Sequence, residues 1–169
     1  MAKYPKINYI GNKVKLVDWI ISNMPIKSGV VLDLFSGGTS VSYKLKSQGF
    51  SVISNDCLFS NYVLSKAIIE NSTDTLDKNV FETYIDEPEI IGKYNQISKY
   101  LTNKLYYDYE VKELAKLIKI SETLEGYKKY LFLALIRRAM IRKLPYSRMN
   151  VPWNQIQKLR DENYSYEKY

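Results

Sequence analysis

The chain of 169 residues contains no histidine and a single cysteine. This composition excludes catalytic sites that pair serine or cysteine with histidine, and nearly every transition-metal site. We therefore expect no bound metal, and chemistry carried by carboxylates, lysine, tyrosine and backbone groups. A lone cysteine cannot form an internal disulfide, which is typical of a reducing compartment and predicts a cytoplasmic protein.

Long hydrophobic runs are also missing from the sequence. The longest strongly apolar run near the middle, residues 130–136, is far shorter than the roughly 20 residues of a membrane-spanning helix, and it indicates a buried helix segment. The N-terminus lacks the apolar core of a signal peptide. We expect no membrane partner, because a composition of 46% hydrophobic and 25% charged residues is typical of a globular protein.

Arginine is absent from the first 136 residues, although the net charge is +7. All five arginines fall within the next 24 residues, on a predicted helix end and the segment after Pro145. A concentrated basic patch predicts a polyanionic partner, since guanidinium groups bind phosphates and guanine edges. The predicted DNA-binding residues are Arg137, Arg138, Arg142 and Arg148. The alternative is a solvated helix end whose arginines pair with local acids.

The most informative segment, residues 30–41, reads Val-Val-Leu-Asp-Leu-Phe-Ser-Gly-Gly-Thr-Ser-Val. Its pattern predicts a strand, a tight loop and a helix, a geometry that presents backbone N–H groups to a ligand. A second apolar run, residues 50–54, leads to Asp56, so another acid follows a second strand. This order predicts a βαβ unit with parallel strands covered on both faces.

Residues 8–13, Asn-Tyr-Ile-Gly-Asn-Lys, precede a predicted amphipathic helix over residues 13–24, with Leu16, Trp19 and Ile20 on one face. This segment contributes Tyr9, Gly11 and Lys13. It is followed by Asp-Leu-Phe-Ser-Gly at residues 33–37 and then by Asp56. In this order, the three motifs resemble motifs X, I and II of the Dam-like adenine-N6 DNA methyltransferases.

The resemblance implies binding of S-adenosylmethionine and duplex DNA. By this resemblance, Asp33 and its loop would hold the methionine end of the cofactor, and Asp56 the ribose. The residues implied in cofactor binding are Tyr9, Gly11, Lys13, Asp33, Phe35, Ser36, Gly37 and Asp56. This sequence differs from the family at Thr39, where the family loop often has a glycine.

The motif that holds the target adenine in this family, Asp/Asn-Pro-Pro-Tyr/Phe, has no counterpart, because the 169 residues contain no Pro-Pro pair. The resemblance therefore covers the front half of the family's catalytic domain, and we assign no catalytic residue. We expect little activity from this chain alone, and we keep a second polypeptide that carries the missing motif as a candidate partner.

The fold class predicted is α/β, a partial Rossmann-like methyltransferase domain with a mainly helical C-terminal extension. A turn cluster near residue 73 separates a cofactor-binding portion, residues 1–73, from a basic, target-recognition-like region, residues 74–169. Helical spacing recurs in the second region, over residues 90–101, 110–124 and 127–143. Two other functions remain open, namely a non-catalytic cofactor- or DNA-binding module and a methyltransferase that acts on RNA or a small molecule.

Overall fold

The computed structural model describes Tyr4, residues 11–144 and residues 151–163. The chain forms two compact units. The first comprises the described residues up to Leu76 together with Gly126–Ala134, and the second comprises Asp77–Glu125 and the described residues from Leu135 onward. The functional division predicted from sequence, at residues 73 and 74, stays a prediction.

The first unit combines helices with a small parallel sheet. Its elements are α1 (Val17–Ser22), β1 (Val30–Asp33), α2 (Ser40–Ser47), β2 (Ser51–Ser54) and α3 (Phe59–Leu64), which continues as a π-helix over Ser65–Glu70. The two strands run parallel, with Val30 opposite Ser51 and Asp33 opposite Ser54. The predicted order of strand, loop, helix and strand is therefore confirmed.

The two faces of this sheet differ in how they are covered. On one face, α2 packs against the strands and its Ser42 hydroxyl donates to the Asp33 carboxylate at 2.6 Å. On the other face, the side chains of Val30, Leu32 and Ile53 are 65%, 56% and 57% exposed. The prediction that both faces are covered is wrong for the described chain, because no described element packs over this second face.

Helix α1 is shorter than predicted, and its inward face is different. Residues 14–16 form turns, the helix begins at Val17, and Val17 is its buried side chain. Trp19 is 67% exposed and Leu16 half exposed. The predicted apolar face is therefore wrong for the described chain. Helix α1 has only six residues, and it packs against α2 while Leu16 and Trp19 stay exposed.

The second unit is helical. It contains a 3₁₀ turn (Lys78–Glu82), α4 (Glu87–Leu101), α5 (Asp108–Thr123), the C-terminal part of α6 (Gly126–Lys143) and α7 (Trp153–Asn163). Tyr106, Val111 and Leu144 form a buried cluster against α4 and α6. The predicted helical region is confirmed over the described residues. No helix in the described part of the chain is long and apolar enough to cross a membrane.

Candidate functional site

Two loops meet at the carboxyl ends of β1 and β2, and Asn55 joins them. Its backbone N–H donates to the Asp33 carbonyl at 2.9 Å, and its carbonyl accepts from the Ser36 N–H at 2.9 Å. Its side-chain amide donates to the Leu34 carbonyl at 2.8 Å. Ligands of open α/β sheets bind at this end of the strands, so the joined loops form the candidate site.

Asp56 braces the glycine loop. Its Oδ2 accepts from the Gly37 N–H at 2.8 Å, and its Oδ1 accepts from the Leu58 N–H and the Asn61 amide, both at 3.0 Å. Burial alone would raise the pKa of Asp56, but these hydrogen bonds from Leu58, Asn61 and Gly37 hold it below its usual value. The carboxylate is therefore ionised near neutral pH. It has about four acceptor positions, so roughly one remains on Oδ2 for a ligand hydroxyl.

Asp33 ends β1 and faces α2. Its Oδ2 accepts from the Ser42 hydroxyl, which also lies 3.4 Å from the Ser54 hydroxyl. The side chain is half-buried. Its Oδ1 accepts no hydrogen bond from the described residues, so one oxygen stays available to a ligand donor such as an ammonium group.

The loop between Asp33 and α2 leaves one polar atom without a partner. Within the described chain, the Ser36 hydroxyl oxygen is buried and makes no hydrogen bond. Leaving such a group unsatisfied costs about 1–3 kcal/mol, so a bound ligand that reaches it would recover that cost. The neighbouring Phe35 ring is 82% exposed, available to contact a ligand ring.

Thr39 takes the conformation that a glycine would adopt with least strain. Its φ of 66° is left-handed, a region that β-branched residues rarely adopt, and Gly37 before it has φ 50°. The Thr39 side chain is fully buried, and its hydroxyl donates to the Gly38 carbonyl at 2.6 Å. The threonine thus adopts a left-handed turn that its own hydroxyl holds with a hydrogen bond.

The N-terminal candidates are only partly described. Tyr9 lies outside the described residues. Gly11 has a left-handed φ of 79°, and the Lys13 ammonium donates to its carbonyl at 3.1 Å, so these two residues contact each other. The structure shows no hydrogen bond from either of them to the glycine loop.

Sequence reasoning missed Tyr4, which does reach the loop. Its hydroxyl donates to the Gly38 carbonyl, and its ring lies 5.3 Å from that of Tyr43. No spacing or motif singles out this tyrosine from the 16 in the chain.

The arginines divide into two groups. Arg137 and Arg138 are half-buried on α6 and Arg142 is exposed, whereas Arg148 lies outside the described residues. Arg160 on α7 is buried, so it cannot belong to a surface patch. Arg138 and Arg142 are four residues apart and share one helix face.

Glu110 explains the burial of Arg160. Its carboxylate accepts from both Arg160 terminal nitrogens, at 2.9 and 2.6 Å, and from the Lys143 ammonium at 2.7 Å. It also accepts from the Tyr107 N–H at 3.0 Å, as the acidic residue of a capping box at the start of α5. The Arg160 guanidinium lies 4.8 Å from the centre of the Tyr107 ring. One fully satisfied carboxylate thus joins α5, α6 and α7.

With this geometry established, comparison with known proteins identifies the family. The model of the D12 class N6 adenine-specific DNA methyltransferases matches residues 9–167. The chain belongs to this family. The match includes both the glycine loop and the arginine-bearing helix α6.

Three curated methyltransferases are similar to this D12 class chain. The type II methyltransferase M2.HphI of Haemophilus parahaemolyticus is 41% identical over 171 residues, which cover 99% of this chain and 49% of that protein. M.NlaIII of Neisseria lactamica and M.FokI of Planomicrobium okeanokoites are each 39% identical over 71 residues, covering 38% and 40% of this chain and 21% and 11% of their own length. The D12 class chain therefore spans about half the length, or less, of these relatives.

No solved structure matches the D12 class chain. Among the described residues, no cluster of three or more cysteine and acidic side chains is arranged to hold a metal ion.

Proposed function

We propose that this chain forms the cofactor-binding and DNA-facing part of a site-specific adenine-N6 DNA methyltransferase of a restriction-modification system, with S-adenosylmethionine as methyl donor. The observation that carries the proposal is the Asp56-braced glycine loop at the ends of two parallel strands, in a chain of the D12 class. The identity to M2.HphI, a type II methyltransferase, supports the assignment to restriction-modification.

The residues of the loop fit the cofactor. S-adenosylmethionine would supply a methyl group on a sulfonium centre, next to an amino acid end and a ribose. The Asp33 Oδ1 can accept from an ammonium group, the buried Ser36 hydroxyl can pair with a carboxylate or hydroxyl, and the remaining position on Asp56 Oδ2 can accept from one ribose hydroxyl.

The same proposal assigns supporting roles to the other predicted residues. Gly37 would allow close approach of the loop backbone, and the Phe35 ring would contact the cofactor. Tyr9, Gly11 and Lys13 would complete the cofactor site from the N-terminal segment. A Rossmann-like arrangement of the complete domain and a cytoplasmic location are parts of the same proposal.

The arginines on α6 would hold duplex DNA, and the catalytic motif would come from further polypeptide. The match covers 49% of M2.HphI, so that relative contains about as much sequence again. A second polypeptide, or another segment of a longer one, would supply the residues that bind the target adenine.

Calorimetry with S-adenosylmethionine tests the cofactor assignment. We expect weak but measurable binding to the wild-type chain, and no detectable heat with Asp56→Ala, since the loop brace and a ribose acceptor are lost together. Asp18→Ala is the matched control, because Asp18 is an exposed acid of the same unit that pairs with Lys44. Equal heats for the wild type and Asp56→Ala would remove Asp56 from the site.

A further inference from the structure

Ser42 carries a hydroxyl that is fully buried inside helix α2. Alanine is the more favourable residue at an interior helix position, and a buried hydroxyl costs free energy unless it forms a hydrogen bond. Serines within helices often bond the carbonyl four residues earlier. For Ser42 that is the Gly38 carbonyl, which instead accepts from the Tyr4 and Thr39 hydroxyls. The Ser42 hydroxyl therefore needs a partner elsewhere.

That partner is the carboxylate at the end of β1. The Ser42 hydroxyl has one proton and two acceptors within reach, the Asp33 Oδ2 at 2.6 Å and the Ser54 Oγ at 3.4 Å. The carboxylate takes the proton, because O–H···O⁻ bonds of about 2.5–2.7 Å are stronger than bonds between neutral groups. Ser54 in turn lies 2.9 Å from the hydroxyl of Ser65, the first residue of the π-helix. The Ser42 hydroxyl thus lies between a carboxylate on β1 and a pair of hydroxyls on β2 and the π-helix.

The bond from Ser42 fixes which way the Asp33 carboxylate faces. The terminal torsion of an aspartate is broad and roughly two-fold, so a carboxylate without a donor turns readily. Ser42 engages Oδ2, and no other group of the described chain donates to this side chain. Oδ1 is therefore left for a ligand, with its orientation set before the ligand arrives. Preorganisation of this kind increases affinity, because binding no longer has to order the side chain.

We propose that Ser42 is a positioning residue for the amino acid end of the cofactor. It acts through Asp33, since its hydroxyl holds the carboxylate so that Oδ1 accepts from the ammonium group of the cofactor. Ser42 itself does not contact the cofactor, because its side chain is fully buried and its proton is taken by Asp33. The proposal rests on the proposed function, because it requires Asp33 in the cofactor site.

Two stable probes separate the amino acid end from the rest of the cofactor. S-adenosylhomocysteine carries this end, whereas methylthioadenosine has the same adenosine and sulfur without it. Titration of the isotope-labelled chain, followed by amide NMR shifts, measures both dissociation constants even when binding is weak. We expect Ser42→Ala to weaken binding of S-adenosylhomocysteine about fivefold to tenfold, the usual effect of losing one hydrogen bond. Its affinity for methylthioadenosine should stay unchanged.

Two further variants show that the effect passes through Asp33. Ser47→Ala is the matched control, because Ser47 is an exposed serine of the same helix that donates to the Lys44 carbonyl; it should change neither affinity. In an Asp33→Asn background, Ser42→Ala should cause no further loss with S-adenosylhomocysteine, since coupled residues are not additive. Melting by circular dichroism should show that Ser42→Ala is folded.

The outcomes distinguish this proposal from the proposed function. An equal loss for both probes in Ser42→Ala would overturn it, because Ser42 would then support the loop as a whole. Unchanged binding of S-adenosylhomocysteine in Ser42→Ala would overturn it too, and would leave the proposed function intact. Equal affinities of the wild type for the two probes would remove Asp33 from the site, and this proposal with it. A wild-type chain that binds neither probe would contradict the proposed function as well.

Discussion

Asp56 braces the glycine loop with a single carboxylate. The resemblance implied that Asp56, spaced 23 residues after Asp33, accepts from the ribose, and this contact stays a prediction. What the spacing could not reveal is that Gly37, Leu58 and Asn61 already donate to it. These bonds depend on how the second loop folds back onto the first, which a residue count does not specify.

Glu110 is the residue at which we expect the largest loss of stability. Replacing it with glutamine leaves the buried Arg160 guanidinium without its charged partner, and breaking a buried pair in this way costs about 3–5 kcal/mol. Urea unfolding of Glu110→Gln should show a loss of this size. Glu110→Leu/Arg160→Met should recover much of it, because apolar replacements of a buried pair are often neutral. An unfolding free energy of Glu110→Gln within about 1 kcal/mol of the wild type would contradict the network.

The same carboxylate predicts a pH dependence of stability. Burial acts to raise the pKa of Glu110, but hydrogen bonds from Arg160, Lys143 and the Tyr107 backbone hold it below its usual value. The folded state therefore binds this proton less readily than the unfolded chain, whose glutamates titrate near about pH 4.3. The stabilisation is complete above that pH and is lost as the pH falls through the folded-state pKa. Unfolding free energies measured from pH 7 to pH 3 should fall less in Glu110→Gln than in the wild type.

At the scale of elements, local patterns predicted the strands and most helices. Apolar runs, a glycine pair and a closing glycine predict strands over residues 30–34 and 50–54 and a helix over residues 41–48. The observed bounds of β1, β2 and α2 lie within about one residue of these. The failure at α1 has a different cause. An apolar stripe indicates that a face can be buried, but whether a partner covers it depends on tertiary contacts. The sheet face carrying Leu32 was mispredicted for the same reason.

The arginines show a similar limit. Composition singled out a basic segment, but Arg160 pairs with an acid 50 residues away, a contact that no sequence spacing predicts. Arg160 therefore forms a buried internal pair that the alternative of a solvated helix end with local acids did not anticipate, while DNA binding by Arg137, Arg138, Arg142 and Arg148 stays a prediction.

Helix α6 should contribute salt-dependent DNA binding through one face. Each phosphate contact contributes close to one unit to the slope of log affinity against log salt, so Arg138→Ala/Arg142→Ala should reduce the slope by about 2. Fluorescence anisotropy with labelled duplex DNA at several salt concentrations measures it. Lys112→Ala/Lys116→Ala, which removes two charges four apart on α5, is the matched control. An unchanged slope together with a lower melting temperature would assign these arginines to internal pairing instead.

On the scale of the whole molecule, the described chain carries a glycine loop braced by Asp56 and a helix that bears arginines, and its sequence contains no Pro-Pro pair like that of the motif that holds the target adenine in the family. The remainder of M2.HphI has no counterpart in this chain.

The chain alone should therefore transfer no detectable methyl group to duplex DNA. Holding two reactants in line can supply up to roughly 7–11 kcal/mol of the barrier, and no residue assigned here positions the adenine amine. Tritiated-methyl incorporation should stay at the level of the blank for the chain alone and rise in a chimera in which the unmatched part of M2.HphI is joined to this chain by a long glycine–serine linker. In that chimera, Asp56→Ala should return it to the blank while Asp18→Ala should not. Incorporation by the chain alone would show that other residues of this sequence hold the adenine, and would remove the need for a second half.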